Sequence, residues 1–175
     1  MNIRKAQESD LPEILALYEK ARAFMAETGN PHQWGDDHYP SESILKNDIR
    51  NGNLYVGVDE EDSVHFVFAF ILGKDPTYSV IEDGAWLDEN PYGTIHRIAS
   101  DHFYPDVLGT VLAFALAIIP EIRADTHQDN LIMQKALLRH GFQRVGIIYV
   151  RGHSPRIAYQ RTGTDQETGN RKEKH

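Results

Sequence analysis

Asp129-Asn130-Leu131-Ile132-Met133-Gln134-Lys135-Ala136-Leu137-Leu138-Arg139-His140-Gly141-Phe142 is the stretch that decides how this chain folds. Asp129 or Asn130 supplies the short polar side chain that caps a helix N-terminus, and Gly141 stands where a helix ends on a left-handed residue. The spacing therefore predicts a helix running through His140. Immediately before it, residues 122–126 (Ile-Arg-Ala-Asp-Thr) read as a strand, and after it residues 145–150 and 156–160 read as two further strands joined through Gly152 and Pro155.

Working toward the N-terminus, Thr94-Ile95-His96-Arg97-Ile98-Ala99-Ser100 reads as a buried strand. A loop over 101–108 leads from it into residues 111–119, a helix apolar on all sides, expected to lie sandwiched in the core and stopped by Pro120. Residues 53–58 and 64–72 are β-type runs around the acidic turn Asp59-Glu60-Glu61-Asp62, a hairpin. Leu11, Ile14, Leu15, Tyr18, Ala21 and Met25 lie on one helical face begun by Ser9 or Asp10. A second helix starts at Ser41 and ends at Asn51-Gly52, and Ile3 opens a first strand. The order is β-α-α-β-β-β-α-β-α-β-β, within one domain over 1–160. Residues 161–175 carry no aliphatic or aromatic side chain and are expected to form a disordered tail.

Composition narrows the function. The 175 residues are 41% hydrophobic and 25% charged, a globular mixture. Lys and Arg number 18 against 26 Asp and Glu, a formal net charge of -8, so no global positive field holds a nucleic acid or an anionic membrane. With no cysteine, disulfides, thiolate metal sites and cysteine nucleophiles are excluded. Met1-Asn2-Ile3-Arg4-Lys5 has no apolar run behind it, and the longest apolar run, residues 111–119, is too short to span a bilayer, so a cytoplasmic protein is expected.

The order of elements, with the helix that ends in Gly141-Phe142, resembles the GNAT superfamily of acetyl-CoA-dependent N-acetyltransferases. The resemblance implies an α/β (α+β) fold: a mixed, mostly antiparallel seven-stranded sheet flanked by about four helices, with two central strands splayed. It implies an amine that attacks the thioester of acetyl-CoA directly, with no metal. Homodimers are common among such proteins. The splayed pair is then 94–100 beside 122–126, with Ile98 and Ser100 giving backbone contacts to the pantetheine arm, and Asn130 and Met133 contacting it from the following helix. Gly109 and Thr110 match the end of the loop that cradles the pyrophosphate.

The sequence departs from that pattern in two places. Asp101-His102-Phe103-Tyr104-Pro105-Asp106-Val107-Leu108-Gly109-Thr110 has one glycine, no Lys or Arg and two carboxylates, where the superfamily carries a Gly-rich phosphate loop. Leu137 stands where many relatives carry a tyrosine that protonates the departing thiolate; Tyr149 is a candidate substitute. His96, four residues before Ser100, matches the position of a proton-relaying carboxylate and is the candidate base. Trp34 and Tyr39, in the stretch between the first two helices, and Tyr78 and Trp86, with Tyr92, before the central strand, are candidates to line an acceptor site for a cationic amine; each is equally a packing residue. His32, His38, Asp36 and Asp37 match no common metal spacing. Ser100, Asp125 and His127 lack the Gly-x-Ser-x-Gly elbow of a hydrolase. The rival reading is a protein that keeps the architecture but binds another ligand or a partner chain without acetyl transfer.

Overall fold

The computed structural model describes residues 1–163. In chain order it contains β1 (Asn2–Lys5), α1 (Leu11–Glu27), α2 (Glu42–Arg50), β2 (Leu54–Val58), β3 (Val64–Leu72), β4 (Gly93–Ser100), α3 (Val107–Leu116), β5 (Ile122–Thr126), α4 (Leu131–Arg139), β6 (Gln143–Val150) and β7 (Ser154–Arg161), with three short 3-10 turns. The strands form one mixed seven-stranded sheet in the order β1-β2-β3-β4-β5-β7-β6. Its parallel pair is β4 with β5, whose register comprises Gly93 opposite Ile122 and Thr94 opposite Arg123. By contrast, β5 pairs antiparallel with β7 along its whole length, from Ile122 opposite Arg161 to Thr126 opposite Ile157.

The described residues form two compact units, one of Met1–Ile71 with Ile95–Val111, the other of Leu72–Thr94 with residues 112–163. The core of the first is the face of α1 made by Leu11, Ile14, Leu17, Tyr18 and Ala21, packed with Leu45 of α2, Leu54 and Val56 of β2, Val67 and Ala69 of β3, and Ala99 of β4. Each large apolar side chain removed from water there contributes about 1.5–3 kcal/mol. Ser41 caps α2 by accepting the Ile44 amide. The core of the second unit joins Tyr78, Tyr92, Val145, Ile148 and Ala158. Asn130 caps α4 by accepting the Met133 amide, and Gly141 follows the helix at φ 87°.

Three expectations change. α3 begins at Val107, inside the stretch read as loop, because the Asp106 carboxylate accepts the Gly109 amide and starts the helix there. α3 is not sandwiched on all sides: Leu108, Val111, Leu112 and Ala115 are buried while Ala113 is exposed. β7 runs through Arg161, past the expected start of the tail, and the remainder of that tail lies outside the described residues. No helix among the described residues is long and apolar enough to cross a membrane.

β6 closes the sheet order, and the segment around Glu82 covers its outer side. Glu82 and Ile147 exchange backbone hydrogen bonds of 2.9 and 2.8 Å, and the Ala85 amide donates to Val145 at 3.0 Å. Gly84, between them at φ 157°, permits this approach: a Cβ there would lie 2.0 Å from the Val145 carbonyl oxygen. Gly84→Ala is expected to cost about 1–3 kcal/mol, read from the urea midpoint, and an unchanged midpoint would show that the segment is not held against β6.

Candidate active site

In the first unit the site is organised by β4. Arg97, in the middle of that strand, has φ 52°, a left-handed conformation that a side-chain-bearing residue adopts only when its surroundings compel it. The surroundings are a buried polar network. Arg97 Nε donates to Asp48 Oδ2 at 2.8 Å and Nη2 to Asp48 Oδ1 at 2.9 Å, a two-pronged pairing with a side chain on α2. Nη1 donates to the Tyr39 hydroxyl at 2.8 Å, and the Tyr18 hydroxyl of α1 donates to the Arg97 carbonyl at 2.5 Å. Burial opposes the charge on Arg97, but Tyr39 and Asp48 together hold its pKa above the ordinary guanidinium value. The strand kink is therefore tied to both helices and to the segment between them.

His96 precedes the kink and is half-buried, near enough to Asp48 for an electrostatic interaction between the two. Ile98 and Ser100 follow it, also half-buried. Trp34 is a core residue, 6% exposed, edge-on to Tyr18 with ring centroids 5.7 Å apart and tilted against Tyr39 at 6.4 Å. Tyr39 has its hydroxyl on Arg97, and its carbonyl accepts from Arg22 at 3.1 Å. Both acceptor candidates of this unit thus act in holding β4 and the loop together. His32 pairs with Asp36 at 2.9 Å and His38 approaches Glu19 at 3.8 Å.

The turn after β4 is supported from within. Ser100 Oγ accepts the His102 amide and Asp101 Oδ1 the Phe103 amide, both at 2.9 Å. At the start of α3 the Gly109 amide donates to Asp106 Oδ1 at 3.3 Å and the Thr110 amide to the Asp106 carbonyl at 3.2 Å. The Asp106 carboxylate therefore already answers the Gly109 amide, and residues 101–110 offer a diphosphate no Lys or Arg. This turn, as it stands, does not fit a diphosphate; an anion bound here must displace Asp106.

In the second unit, Tyr78 is buried and its hydroxyl donates to Asp125 Oδ2 at 2.7 Å; burial first, and then Asp125, push its pKa well above the usual tyrosine value. Trp86 Nε1 donates to the Tyr78 carbonyl at 2.9 Å. The faces of Trp86 and Tyr92 are taken by the Arg123 guanidinium, 4.1 and 3.9 Å from the two ring centroids. An aromatic cage of the kind that receives a cation is present, and the chain's own arginine sits in it. Arg123 Nη2 also donates to the Asp88 carbonyl at 3.0 Å.

Asn130 and Met133 share the α4 cap at 3.0 Å. Tyr149 lies on β6, with β7 between that strand and β5. Its hydroxyl donates to Glu82 Oε2 at 2.8 Å, and that bond raises its pKa, which weakens it as an acid. His127 Nδ1 accepts the Asp129 amide at 3.0 Å. Sequence reasoning missed Asp48, Tyr18, Arg123 and the capping role of Asp106. The last had a signal, an acidic residue three before a glycine at the head of an apolar run.

No protein-family model and no curated protein matches the chain. Among solved structures, an acetyltransferase of the GNAT family from Streptococcus agalactiae 2603 is 35% identical, covers 92% of this chain and 94% of its own, and superposes with a TM-score of 0.80. The chain belongs to the GNAT family of acetyltransferases. A GNAT-family acetyltransferase from Listeria monocytogenes 4b F2365 shares the fold at 19% identity and a TM-score of 0.69, covering 92% of this chain and 94% of its own. So does a GNAT-superfamily phosphinothricin acetyltransferase from Sinorhizobium meliloti, solved in complex with AcCoA, at 14% identity and a TM-score of 0.59, covering 92% and 87%.

Within this GNAT fold, Arg97→Met leaves the buried Asp48 without its counter-charge and is expected to cost about 3–5 kcal/mol in urea unfolding. Adding Asp48→Asn should recover part of that loss. A loss under about 1 kcal/mol for the single variant would show that the pair does not hold the strand.

Proposed function

We propose that the chain is an N-acetyltransferase that moves an acetyl group from acetyl-CoA to a primary amine of a small molecule or peptide by direct attack. The observation that carries this reading is the shortness of the parallel register: β4 and β5 pair at Gly93 with Ile122 and Thr94 with Arg123, and each strand continues past its paired residues. Backbone groups of a strand left without a neighbouring strand suit an extended thioester arm, which adds itself as a further strand would. On this reading Ile98 and Ser100 of β4 meet the arm.

The chemistry asked of the chain is modest. The amine nitrogen attacks the thioester carbonyl, the carbon–nitrogen bond forms, the carbon–sulfur bond breaks, and the thiolate departs. His96 takes the proton that the attacking nitrogen sheds. Water returns a proton to the thiolate, since Leu137 has none to give and Tyr149 is committed to Glu82. No step calls for a metal. A net charge of -8 favours a cationic amine over nucleic acid as the acceptor.

One observation favours a second reading. With Asp106 on the Gly109 amide and no Lys or Arg over 101–110, the chain also suits a GNAT-fold protein that binds another ligand or a partner chain without acetyl transfer.

Acetyl-CoA at a hundred times its dissociation constant is expected to stabilise the fold by about 2.7 kcal/mol, seen as a raised Tm. No shift at millimolar acetyl-CoA would favour the second reading. His96→Ala should lower kcat by about 10²–10⁴ with acetyl-CoA affinity preserved, so equal kcat in variant and parent would remove His96 as the base.

A further inference from the structure

His65, on β3, has a carboxylate on each ring nitrogen. Nδ1 lies 2.8 Å from Asp101 Oδ2, in the turn after β4, and Nε2 lies 2.8 Å from Asp59 Oδ2, in the β2–β3 turn. The ring stacks on Phe103 at 4.1 Å and meets Tyr104 edge-on at 5.4 Å. The backbone joins the same segments, with the Asp101 amide donating to the His65 carbonyl at 3.0 Å. A neutral imidazole carries one N–H and one lone pair, so it can donate to one carboxylate while its bare nitrogen faces the other; only the imidazolium donates to both.

We propose that His65 is an imidazolium clasp that pins the β4–α3 turn to the β2–β3 hairpin and releases that turn when the proton is lost. Asp101 is the partner that leaves. Asp59 is set in its own turn whatever His65 does, because its Oδ1 accepts the Glu61 amide at 2.9 Å and the Ser63 amide at 3.0 Å, and its amide donates to the Ser63 carbonyl at 3.1 Å. The Asp101 side chain otherwise holds the Phe103 amide.

The groups around the ring are of one sign. Asp59 and Glu60 come from the hairpin turn, and Asp101 and Tyr104 from the turn after β4; the tyrosine is held protonated by burial and by those three carboxylates. On α1, Glu13 accepts the amide of Val64, the residue before His65, at 2.9 Å. Arg4 of β1 is engaged by Asp10 and Asp62. Burial works against the charge on His65, but the hydrogen bonds to Asp59 and Asp101 outweigh it and raise its pKa. Chiefly through its bond to His65, Asp59 is held below the usual carboxylate range.

The sign of the effect follows. The contribution of His65 is fully present below the unfolded imidazole value of about 6.5 and is lost as pH rises through the raised one; that of Asp59 is lost on acidification through its lowered value. The clasp holds between those limits. Resting on the proposed function, a consequence reaches the acyl donor. The turn runs into the start of α3, and loss of the proton leaves it more negative, so affinity for the anionic donor falls with rising pH.

The test uses the full chain. Nuclear magnetic resonance of the His65 ring should give a transition above about 6.5, lowered in Asp59→Asn. Across that transition the Phe103 amide should lose protection against hydrogen exchange, and the step should vanish in His65→Gln. Titration at or below about 6.5, or Phe103 protection that is flat through the transition, would overturn the clasp. For the donor, calorimetry with acetyl-CoA should show affinity dropping through the same pH range in the parent and not in His65→Gln. The same pH dependence in both would overturn the coupling. Absence of binding at every pH would overturn both the coupling and the acetyltransferase reading, and the resonance and exchange measurements would still decide the clasp.

Discussion

A guanidinium and a carboxylate buried together must stay paired, because either one alone in the interior is worth several kcal/mol of instability. Arg97 and Asp48 impose that constraint on the first unit, and the rest of its candidate site depends on it. The pair fixes the left-handed residue in β4, and with Tyr39 and Tyr18 it ties that strand to α1, to α2 and to the segment between the helices. The placements of His96 before the kink and of Ile98 and Ser100 after it are consequences of a contact 49 residues apart in the chain. Conformational strain of about 1–3 kcal/mol at Arg97 is tolerated because the network over-determines the residue.

A second regularity runs through both units: polar groups that invite a ligand already have an internal partner. The Trp86–Tyr92 cage holds Arg123, the Gly109 amide holds Asp106, and the Tyr149 hydroxyl holds Glu82. Ligands at these places compete with the chain itself, so affinity is set by the difference between two occupied states rather than by the bare attraction of a site. For an anion at the start of α3 the internal competitor, Asp106, carries the same sign of charge.

The fold was largely legible because its elements announce themselves locally. The α1 stripe, the Ser41 and Asn130 caps, the acidic hairpin turn and Gly141 are each decided within a few residues, and together they gave the eleven-element order. The start of α3 was not legible in the same way, since Pro105 and the polar residues before it resemble a loop while the helix is set by one carboxylate. The candidate site was read far less well. Trp34, Tyr39, Tyr78 and Trp86 stood out as aromatics in loops, yet whether a ring faces a ligand or an arginine depends on partners distant in sequence. Asp48 looks like any polar residue on an amphipathic helix, and Arg123 and His65 are single polar residues on strands. Nothing in the local pattern distinguishes them from solvent-facing positions.

On the proposed function, β4 receives the extended arm of an acyl donor beyond its brief pairing with β5. Backbone hydrogen exchange along β4, measured with and without acetyl-CoA, addresses it most directly. Protection should rise within residues 98–100 on adding acetyl-CoA while Gly93 and Thr94, already paired with β5, stay as they were. Acetyl-CoA that binds and leaves residues 98–100 exchanging as before would contradict it.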